Sequence, residues 1–146
     1  MYEYSRTVFY YETDKMGFVH HSNYIRWLEE ARTAFFNDED LSYAVTESYG
    51  VLSPVTEVNL RYKYPAFFGD TFTVKLVMTK YTGVRFCVAY TVVNQNGEVL
   101  LEGDSKHAFV NEDRKPVSFA RKIPHRHELM MKLLSRHKAE AESNNE

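Results

Sequence analysis

The feature that most constrains the fold is an alternation of apolar and polar residues that fills the second half of the chain. Apolar side chains recur at every second position in three stretches, at about residues 57–64, 71–78 and 84–92, and a fourth, less regular run covers residues 99–110. Because consecutive side chains of a strand point to opposite faces of a sheet, this period predicts four half-buried strands. The two intervals near Thr82-Gly83 and Asn96-Gly97 are short enough for hairpin turns. An antiparallel sheet is therefore expected.

One face of each predicted strand should be buried. Odd-numbered and even-numbered residues of a strand point to opposite faces, so a slip of one residue in register would exchange the two faces. The side chains predicted to face inward are Val58, Leu60, Phe72, Val74, Leu76, Phe86, Val88 and Tyr90. They are expected to pack against a helix that carries Trp27, Leu28 and Phe35.

The other predicted elements lie on either side of these strands. Residues 2–11 are rich in Tyr, Phe, Thr and Val and predict a first strand. Apolar spacings of three and four predict a helix from Ser22 or Asn23, either of which could be its N-cap, to about Phe36. A short helical turn over 41–50 and a second long helix over 124–141 follow, and residues 142–146 are expected to fray.

The order strand, helix, four strands, helix indicates the α+β class. The expected architecture is one domain over residues 1–146, with a five-stranded antiparallel sheet around the first helix and a C-terminal helix beyond it. The first helix is too apolar to face water, and one such sheet cannot cover it on every side. A homo-oligomer, either a dimer or a tetramer of paired dimers, is expected on burial grounds.

Composition excludes several function classes. The 18 Lys and Arg residues do not outnumber the 20 Asp and Glu residues, which argues against a nucleic-acid partner. Cys87 is the only cysteine, so an intrachain disulfide or a cysteine-rich zinc site is excluded. No apolar run approaches the roughly 20 residues that span a bilayer, and residues 1–6 do not resemble a signal peptide. We expect a soluble cytoplasmic protein with no membrane partner and no metal or other cofactor.

The loop before the first helix carries the candidate chemistry. Asp14 follows a predicted strand, Gly17 permits a tight turn, and His21 lies where the helix begins. A helix N-terminus presents unpaired N–H groups that favour negative charge on an oxygen. A carboxylate and an oxyanion site around one carbonyl would suit acyl transfer to water, with Asp14 as general base or nucleophile. The alternative is that Asp14 is only a turn or capping residue, and the local chemistry leaves this open.

A longer motif resembles a known family. It reads Tyr10-x-Glu12-Thr13-Asp14-x-x-Gly17-x-Val19-x-His21-x-Asn23-Tyr24 and continues into Arg26, Glu29 and Ala31-Arg32-Thr33. The turn Pro65-Ala66-Phe67-Phe68-Gly69-Asp70 belongs to the same resemblance. The chain is similar over essentially its whole length to 4-hydroxybenzoyl-CoA thioesterase-like proteins, and more narrowly to the acyl-CoA thioesterase branch associated with the bacterial Tol-Pal gene cluster. These proteins have the hotdog fold, in which a curved antiparallel sheet wraps a long central helix.

The resemblance implies an acyl-CoA thioesterase whose site is built between subunits. Asp14 would be the catalytic carboxylate, as nucleophile or as base for water, and the backbone N–H of His21 would polarise the thioester carbonyl. The side chains of His21 and Tyr10 would orient substrate or water. The resemblance further implies that the loop residues Gly17, Val19 and Asn23 bind substrate.

Several alternatives stay open at this point. His20 stands where the family usually has Tyr or Phe, which leaves the acyl preference undecided. The coenzyme A phosphates could be held by Arg61, Lys63, Arg85 or the basic segment 122–138. A non-catalytic acyl-thioester-binding module and a thioesterase acting on acyl-carrier protein are the competing functions.

Overall fold

The alternating segments form one five-stranded antiparallel sheet in a computed structural model that describes residues 1–144. The strands lie side by side in the order β1-β3-β4-β5-β2. Their bounds are β1 Tyr2–Thr7, β2 Val55–Tyr62, β3 Thr71–Tyr81, β4 Arg85–Asn94 and β5 Val99–Ala108. Two of the neighbouring pairs, β3–β4 and β4–β5, are consecutive hairpins, as the short intervals predict.

Within residues 1–144, four helices accompany the sheet. Their bounds are α1 His21–Asp38, α2 Tyr43–Ser48, α3 Phe119–Lys122 and α4 Pro124–Asn144. The long helix α1 packs on one face of the sheet, where the indole of Trp27 stacks on the ring of Phe72 with 3.8 Å between centroids. The α+β class and the five-stranded antiparallel sheet with an early central helix are confirmed.

Six of the eight predicted inward-facing residues are fully buried. They are Phe72, Val74, Leu76, Phe86, Val88 and Tyr90. The prediction is wrong for Val58, which is 36% exposed, and only partly right for Leu60, which is half-buried. Both lie on β2, an edge strand whose only strand partner within residues 1–144 is β5. A strand at an edge has fewer neighbours to cover its inner face, so the same alternation buries less there.

Leu60 lies over a glycine of the adjacent strand. Gly103 is the register partner of Leu60, and a Cβ added to it would lie 2.2 Å from the backbone oxygen of Asn59 and 2.6 Å from Leu60 Cδ2. No side chain fits between them, so the close contact of β2 with β5 at this point requires glycine.

The predicted boundaries need three corrections. The first strand ends at Thr7, and residues 10–12 form a single 3-10 turn in which the carboxylate of Glu12 binds the backbone N–H of Phe9. Helix α1 begins at His21, and its N-cap is His20, whose Nδ1 accepts the N–H of Ser22 at 3.2 Å. Histidine is not among the preferred N-cap residues, which explains the misplaced start.

Helix α4 is longer than predicted, and its buried side chains bind β3 and the segment that precedes α2. Residues 142–144, expected to fray, continue this helix, and residues 145–146 lie outside the described part of the chain. His137 Nδ1 accepts the N–H of Met78 at 2.9 Å, beside a bulge in β3. Buried Arg126 donates to the backbone oxygens of Asp40 and Ser42. Part of the basic C-terminal segment is thus structural.

Over residues 1–144, no helix combines the length and the apolar character needed to cross a membrane.

We predict that Leu76→Ala lowers the free energy of unfolding by roughly 2–5 kcal/mol, because Leu76 is fully buried and its loss leaves a cavity. Urea denaturation gives the value. The matched control is Lys75→Ala, on the opposite face of the same strand, which should change stability by less than about 0.5 kcal/mol. Equal effects of the two substitutions would contradict the assigned faces.

Candidate active site

The loop that joins β1 to α1 folds back on itself as a small hairpin. Thr13 and Val19 form an isolated antiparallel bridge, and the N–H of Asp14 donates to the oxygen of Phe18 at 2.7 Å. The N–H of Gly17 donates to the oxygen of Asp14 at 3.1 Å, and Gly17 has a φ of +84°. This left-handed conformation favours glycine, so the tight turn predicted at this position is present.

The carboxylate of Glu12 anchors the start of the loop inside the protein. Both guanidinium Nη atoms of Arg6 donate to it at 2.8 Å, one to each oxygen. The N–H of Phe9 donates at 2.8 Å and the indole N–H of Trp27 at 2.7 Å. Glu12 is only 2% exposed. Four donors match the hydrogen-bonding capacity of a carboxylate, so this buried charge is fully satisfied.

The backbone oxygen of Glu12 fixes the end of the loop. It accepts the N–H of His20 at 2.9 Å and the side-chain amide of Asn23 at 2.8 Å. One residue therefore ties β1, the loop and the first turn of α1 together. Sequence reasoning did not identify this role, although Glu12 lies inside the motif.

Hydrogen bonds set the protonation of Glu12. Burial by itself would raise the pKa of this carboxyl, but the donors Arg6, Trp27 and Phe9 outweigh burial and hold the pKa below its usual range. Glu12 is therefore ionised wherever the fold is intact at neutral pH.

Asp14 lies exposed at the tip of the hairpin. Its Oδ1 accepts the N–H of Met16 at 2.8 Å and the N–H of Phe18 at 3.3 Å. Within residues 1–144, no protein group donates to Oδ2. Asp14 thus does serve as a turn-stabilising residue, which was the alternative to catalysis, and it also keeps one carboxylate oxygen open to solvent.

His21 is the first residue of α1 and is exposed. Its backbone oxygen accepts the hydroxyl of Tyr62 at 3.2 Å. Its backbone N–H has no acceptor in the described part of the chain, as expected for the first turn of a helix. The imidazole rings of His20 and His21 lie 4.3 Å apart between centroids. The open N–H at the positive end of the helix dipole can receive an oxyanion.

Aromatic side chains surround the loop. Tyr10, 76% exposed, packs edge-on against Phe68, with ring centroids 5.5 Å apart. The rings of Phe18 and Phe67 are also in contact, with 5.1 Å between their centroids. The turn over residues 65–70 thus lies beside the candidate site. The sequence alone did not predict that this turn would lie there. The available signal was a pair of adjacent phenylalanines in a loop, where apolar side chains are otherwise uncommon.

The three residues expected to bind substrate occupy different environments. Gly17 is half-buried at the hairpin turn. Val19 and Asn23 are buried, where Val19 donates its N–H to Ala66 and Asn23 binds Glu12. Both buried side chains hold the loop from inside. In the described residues, no cluster of three His, Cys, Asp or Glu side chains is arranged to hold a metal ion.

We predict that Glu12→Gln lowers the free energy of unfolding by about 3–5 kcal/mol, because an amide group would face donors and leave the Arg6 charge poorly paired. Glu30→Gln is the matched control. Glu30 also binds Arg6 but is partly exposed, so a smaller loss is expected.

The free energy of unfolding, measured as the pH is lowered, gives a second test of the same substitution. A carboxyl whose pKa is lowered in the folded state stabilises the protein above its unfolded-state pKa, about 4.3, and loses that contribution as the pH falls through the lowered folded value. Wild-type stability should therefore fall in acid below about pH 4. The Glu12→Gln variant should show a shallower fall there, and an unchanged slope would contradict the role of Glu12.

The chain matches a known family over most of its length. Residues 8–133 match the thioesterase-like superfamily. A putative acyl-CoA thioesterase of Bacillus subtilis (strain 168), YneP, is 38% identical over 119 residues, which cover 81% of this chain and 86% of that protein. A 1,4-dihydroxy-2-naphthoyl-CoA hydrolase of Thermosynechococcus vestitus is 29% identical over 72% of this chain and 73% of that protein.

Solved structures agree with this assignment. The DHNA-CoA thioesterase from Staphylococcus aureus superposes with a TM-score of 0.87 at 34% identity, covering 92% of this chain and 91% of that one. The resemblance drawn from the loop motif is confirmed at the level of the superfamily, and with it the hotdog fold. The chain therefore belongs to the thioesterase-like superfamily.

Proposed function

We propose that this protein hydrolyses an acyl-CoA thioester to a free acid and coenzyme A. The observation that carries the proposal is an open carboxylate oxygen on Asp14, in the exposed loop, followed by an unbonded backbone N–H on His21 at the start of the helix that this loop leads into. Relatives named as acyl-CoA thioesterases and thioester hydrolases support the substrate class.

Two routes are compatible with this pair. In one, Asp14 attacks the thioester carbon, the carbon–sulfur bond breaks, coenzyme A leaves as the thiolate, and water then hydrolyses the mixed anhydride. In the other, Asp14 takes a proton from the water that attacks the thioester carbon, the carbon–sulfur bond breaks, and the departing thiolate of coenzyme A takes up that proton. In both routes the carbonyl oxygen gains negative charge, which the N–H of His21 and the helix dipole stabilise. The side chains of Tyr10 and His21 are proposed to orient substrate or water, and Gly17, Val19 and Asn23 to shape the loop that receives it.

Acyl-carrier protein is the alternative carrier of the same thioester. The loop chemistry would be identical, and the two carriers differ only in what the surface around the loop binds. Comparing hydrolysis of one acyl group on coenzyme A and on acyl-carrier protein decides between them. The proposed location is the cytoplasm, as expected from the sequence.

We predict that Asp14→Asn lowers kcat on a hydrolysed acyl-CoA by roughly 10²–10⁴-fold, because the substitution removes the charge and the basic lone pair but preserves size. Substrate binding should change much less. Asn is also an accepted turn residue, so the melting temperature should stay close to wild type.

Asp113→Asn is the matched control. Asp113 lies in an exposed turn outside the candidate site, and its replacement should leave kcat unchanged. Near wild-type kcat in a folded Asp14→Asn protein would remove Asp14 from the mechanism. The protein would then be a binding module or would use other residues.

A homo-oligomer is the proposed working form, although the reason differs from the one expected. Within one chain, the sheet and α4 already cover the apolar face of α1, including Trp27, Leu28 and Phe35. Both β1 and β2 are edge strands whose outer edges have no strand partner in residues 1–144, and the more exposed of the two is β2. Its side chains Val55 and Tyr62 are 46% and 50% exposed. An exposed apolar edge strand is a template for pairing with a second copy.

We predict that light scattering at micromolar concentration gives the mass of a dimer or of a tetramer of paired dimers. An obligate interface of this kind buries more than about 2,000 Å² in total, so the mass should not change on tenfold dilution. A stable monomer of 17.2 kDa would contradict the proposal.

A further inference from the structure

The turn that joins β2 to β3, residues 65–70, supports the loop that carries Asp14. We call it the supporting turn. The backbone oxygen of Ala66 accepts the N–H of Val19 at 2.9 Å. Phe18 and Phe67 form an isolated antiparallel bridge, and their rings are in contact. The supporting turn therefore binds the arm of the loop that follows Asp14.

Phe18 joins the supporting turn to Asp14 itself. Its backbone oxygen accepts the N–H of Asp14 at 2.7 Å, and its N–H donates to Oδ1 of Asp14 at 3.3 Å. A displacement of Phe18 would thus move both the backbone and the carboxylate of Asp14. On the other arm of the loop, Tyr10 packs edge-on against Phe68 of the same turn. The position of the supporting turn therefore affects both arms of the loop.

The carboxylate of Asp70 shapes the supporting turn. Its Oδ2 accepts the N–H of Phe67 at 2.9 Å, and the backbone N–H of Asp70 donates to the oxygen of Phe67 at 3.1 Å. The backbone oxygen of Asp70 accepts the N–H of Val8, just after β1, at 2.8 Å. Within residues 1–144, no cationic side chain forms an ion pair with Asp70. In this part of the chain, the carboxylate therefore depends on neutral hydrogen-bond donors.

Gln95 supplies the donor to the other oxygen of Asp70. Its Nε2 donates to Oδ1 of Asp70 at 3.0 Å, and its Oε1 accepts the N–H of Thr71 at 3.0 Å. One side chain thus provides a donor and an acceptor at once, which is the pattern of a primary amide. Gln95 is exposed and lies in the turn between β4 and β5, so it takes no part in the hydrophobic core.

The turn that carries Gln95 is itself anchored to the end of β4. Asn94 is only 7% exposed, and its Oδ1 accepts the N–H groups of Asn96 and Glu98, each at 3.0 Å. Its Nδ2 donates to Oε1 of Glu98 at 3.1 Å. The backbone on both sides of Gln95 is therefore fixed relative to the sheet.

We propose that Gln95 is a positioning residue for the proposed hydrolysis: through Asp70 and the supporting turn, it sets where the loop holds the carboxylate of Asp14. The direct contacts run in order through Gln95, Asp70, Phe67, Phe18 and Asp14. The inference rests on the proposed function, because turnover is its main readout. A misplacement of about 1 Å at a reacting group can lower turnover by about 10²-fold.

Three variants test the pattern of donors and acceptors. In Gln95→Glu, two acceptor oxygens face each other at the contact with Asp70. In Asp70→Asn, one N–H group faces another whichever way the two amides turn, because the N–H groups of Phe67 and Thr71 both need an acceptor. The double variant Asp70→Asn/Gln95→Glu restores a complete pattern. Its amide accepts from Phe67 and donates to its carboxylate, which accepts from Thr71.

Hydrolysis of octanoyl-CoA and of benzoyl-CoA gives the first readout. Each single substitution should lower kcat at least about fivefold and change KM by less than about twofold, because the loop that carries Asp14 shifts while the groups that bind the carrier do not. The double variant should return kcat to within about twofold of wild type.

Asn96→Asp is the matched control. It adds the same charge to the same hairpin turn as Gln95→Glu, and within residues 1–144 the side chain of Asn96 has no hydrogen-bond partner. Its kcat should equal that of wild type.

Amide hydrogen exchange, measured by NMR, does not depend on hydrolysis. The N–H groups of Phe18 and Val19 report opening of the loop. Gln95→Glu should speed their exchange at least about fivefold, and the double variant should restore it. The N–H of Met78, which binds His137 of α4, should exchange as in wild type. These exchange results in a protein that hydrolyses no acyl-CoA would support the positioning of the loop and contradict the thioesterase function.

Two outcomes would overturn the role of Gln95. One is wild-type kcat in the folded single variants, whatever their exchange rates. The other is a loss of kcat in the single variants that the double variant does not restore, because the effect would then not come from the bond between Asp70 and Gln95. Melting temperatures of all four variants separate these outcomes from misfolding.

Discussion

The carboxylate of Glu12 is the interaction on which the geometry of the candidate site depends. It accepts hydrogen bonds from the guanidinium of Arg6 on β1, from the indole of Trp27 on α1 and from the backbone N–H of Phe9 in the loop. A buried ion pair is weak evidence of stability when its lone pairs are unsatisfied, but here every one is used. The same residue's carbonyl holds the start of α1. The open N–H of His21 is therefore fixed relative to the turn that carries Asp14.

Most of the fold could be predicted because the sheet's central strands carry a clear period. Phe72 and Val88 obey it, since strands on both sides and α1 above bury one parity completely. Val58 breaks the prediction although its alternation is as regular. An alternation of apolar and polar residues indicates that a strand has one apolar and one polar face. It does not indicate how many neighbouring strands there are, because that depends on the strand order and on what pairs with the strand's edge.

The buried and loop residues of the protein also differ in how far the sequence could predict them. Asp14 and Gly17 lie close in sequence, and a local motif could identify the turn they form. Arg32 of α1 and Tyr90 of β4 are distant in sequence from Ser105 and His107 of β5 and meet them only through packing, so no local pattern connects the helix to the two strands. In sequence, Arg32 lies on the predicted polar face of the first helix and inside the motif that resembles the family. Its burial and its hydrogen bond to the hydroxyl of Tyr90 become visible only once the packing is known.

The close contact between β2 and β5 depends on an atom that is absent. Leu60 approaches the backbone of Gly103 so closely that even a methyl group would displace β2. Random mutagenesis that selects for folded protein should thus find almost no surviving change at Gly103, because any replacement displaces β2 from β5. Side chains have more freedom to change at Ile25 and Val55, which are exposed. In evolutionary time, the exposed surface of α1 and β2 can change far more readily than the spacing between the strands.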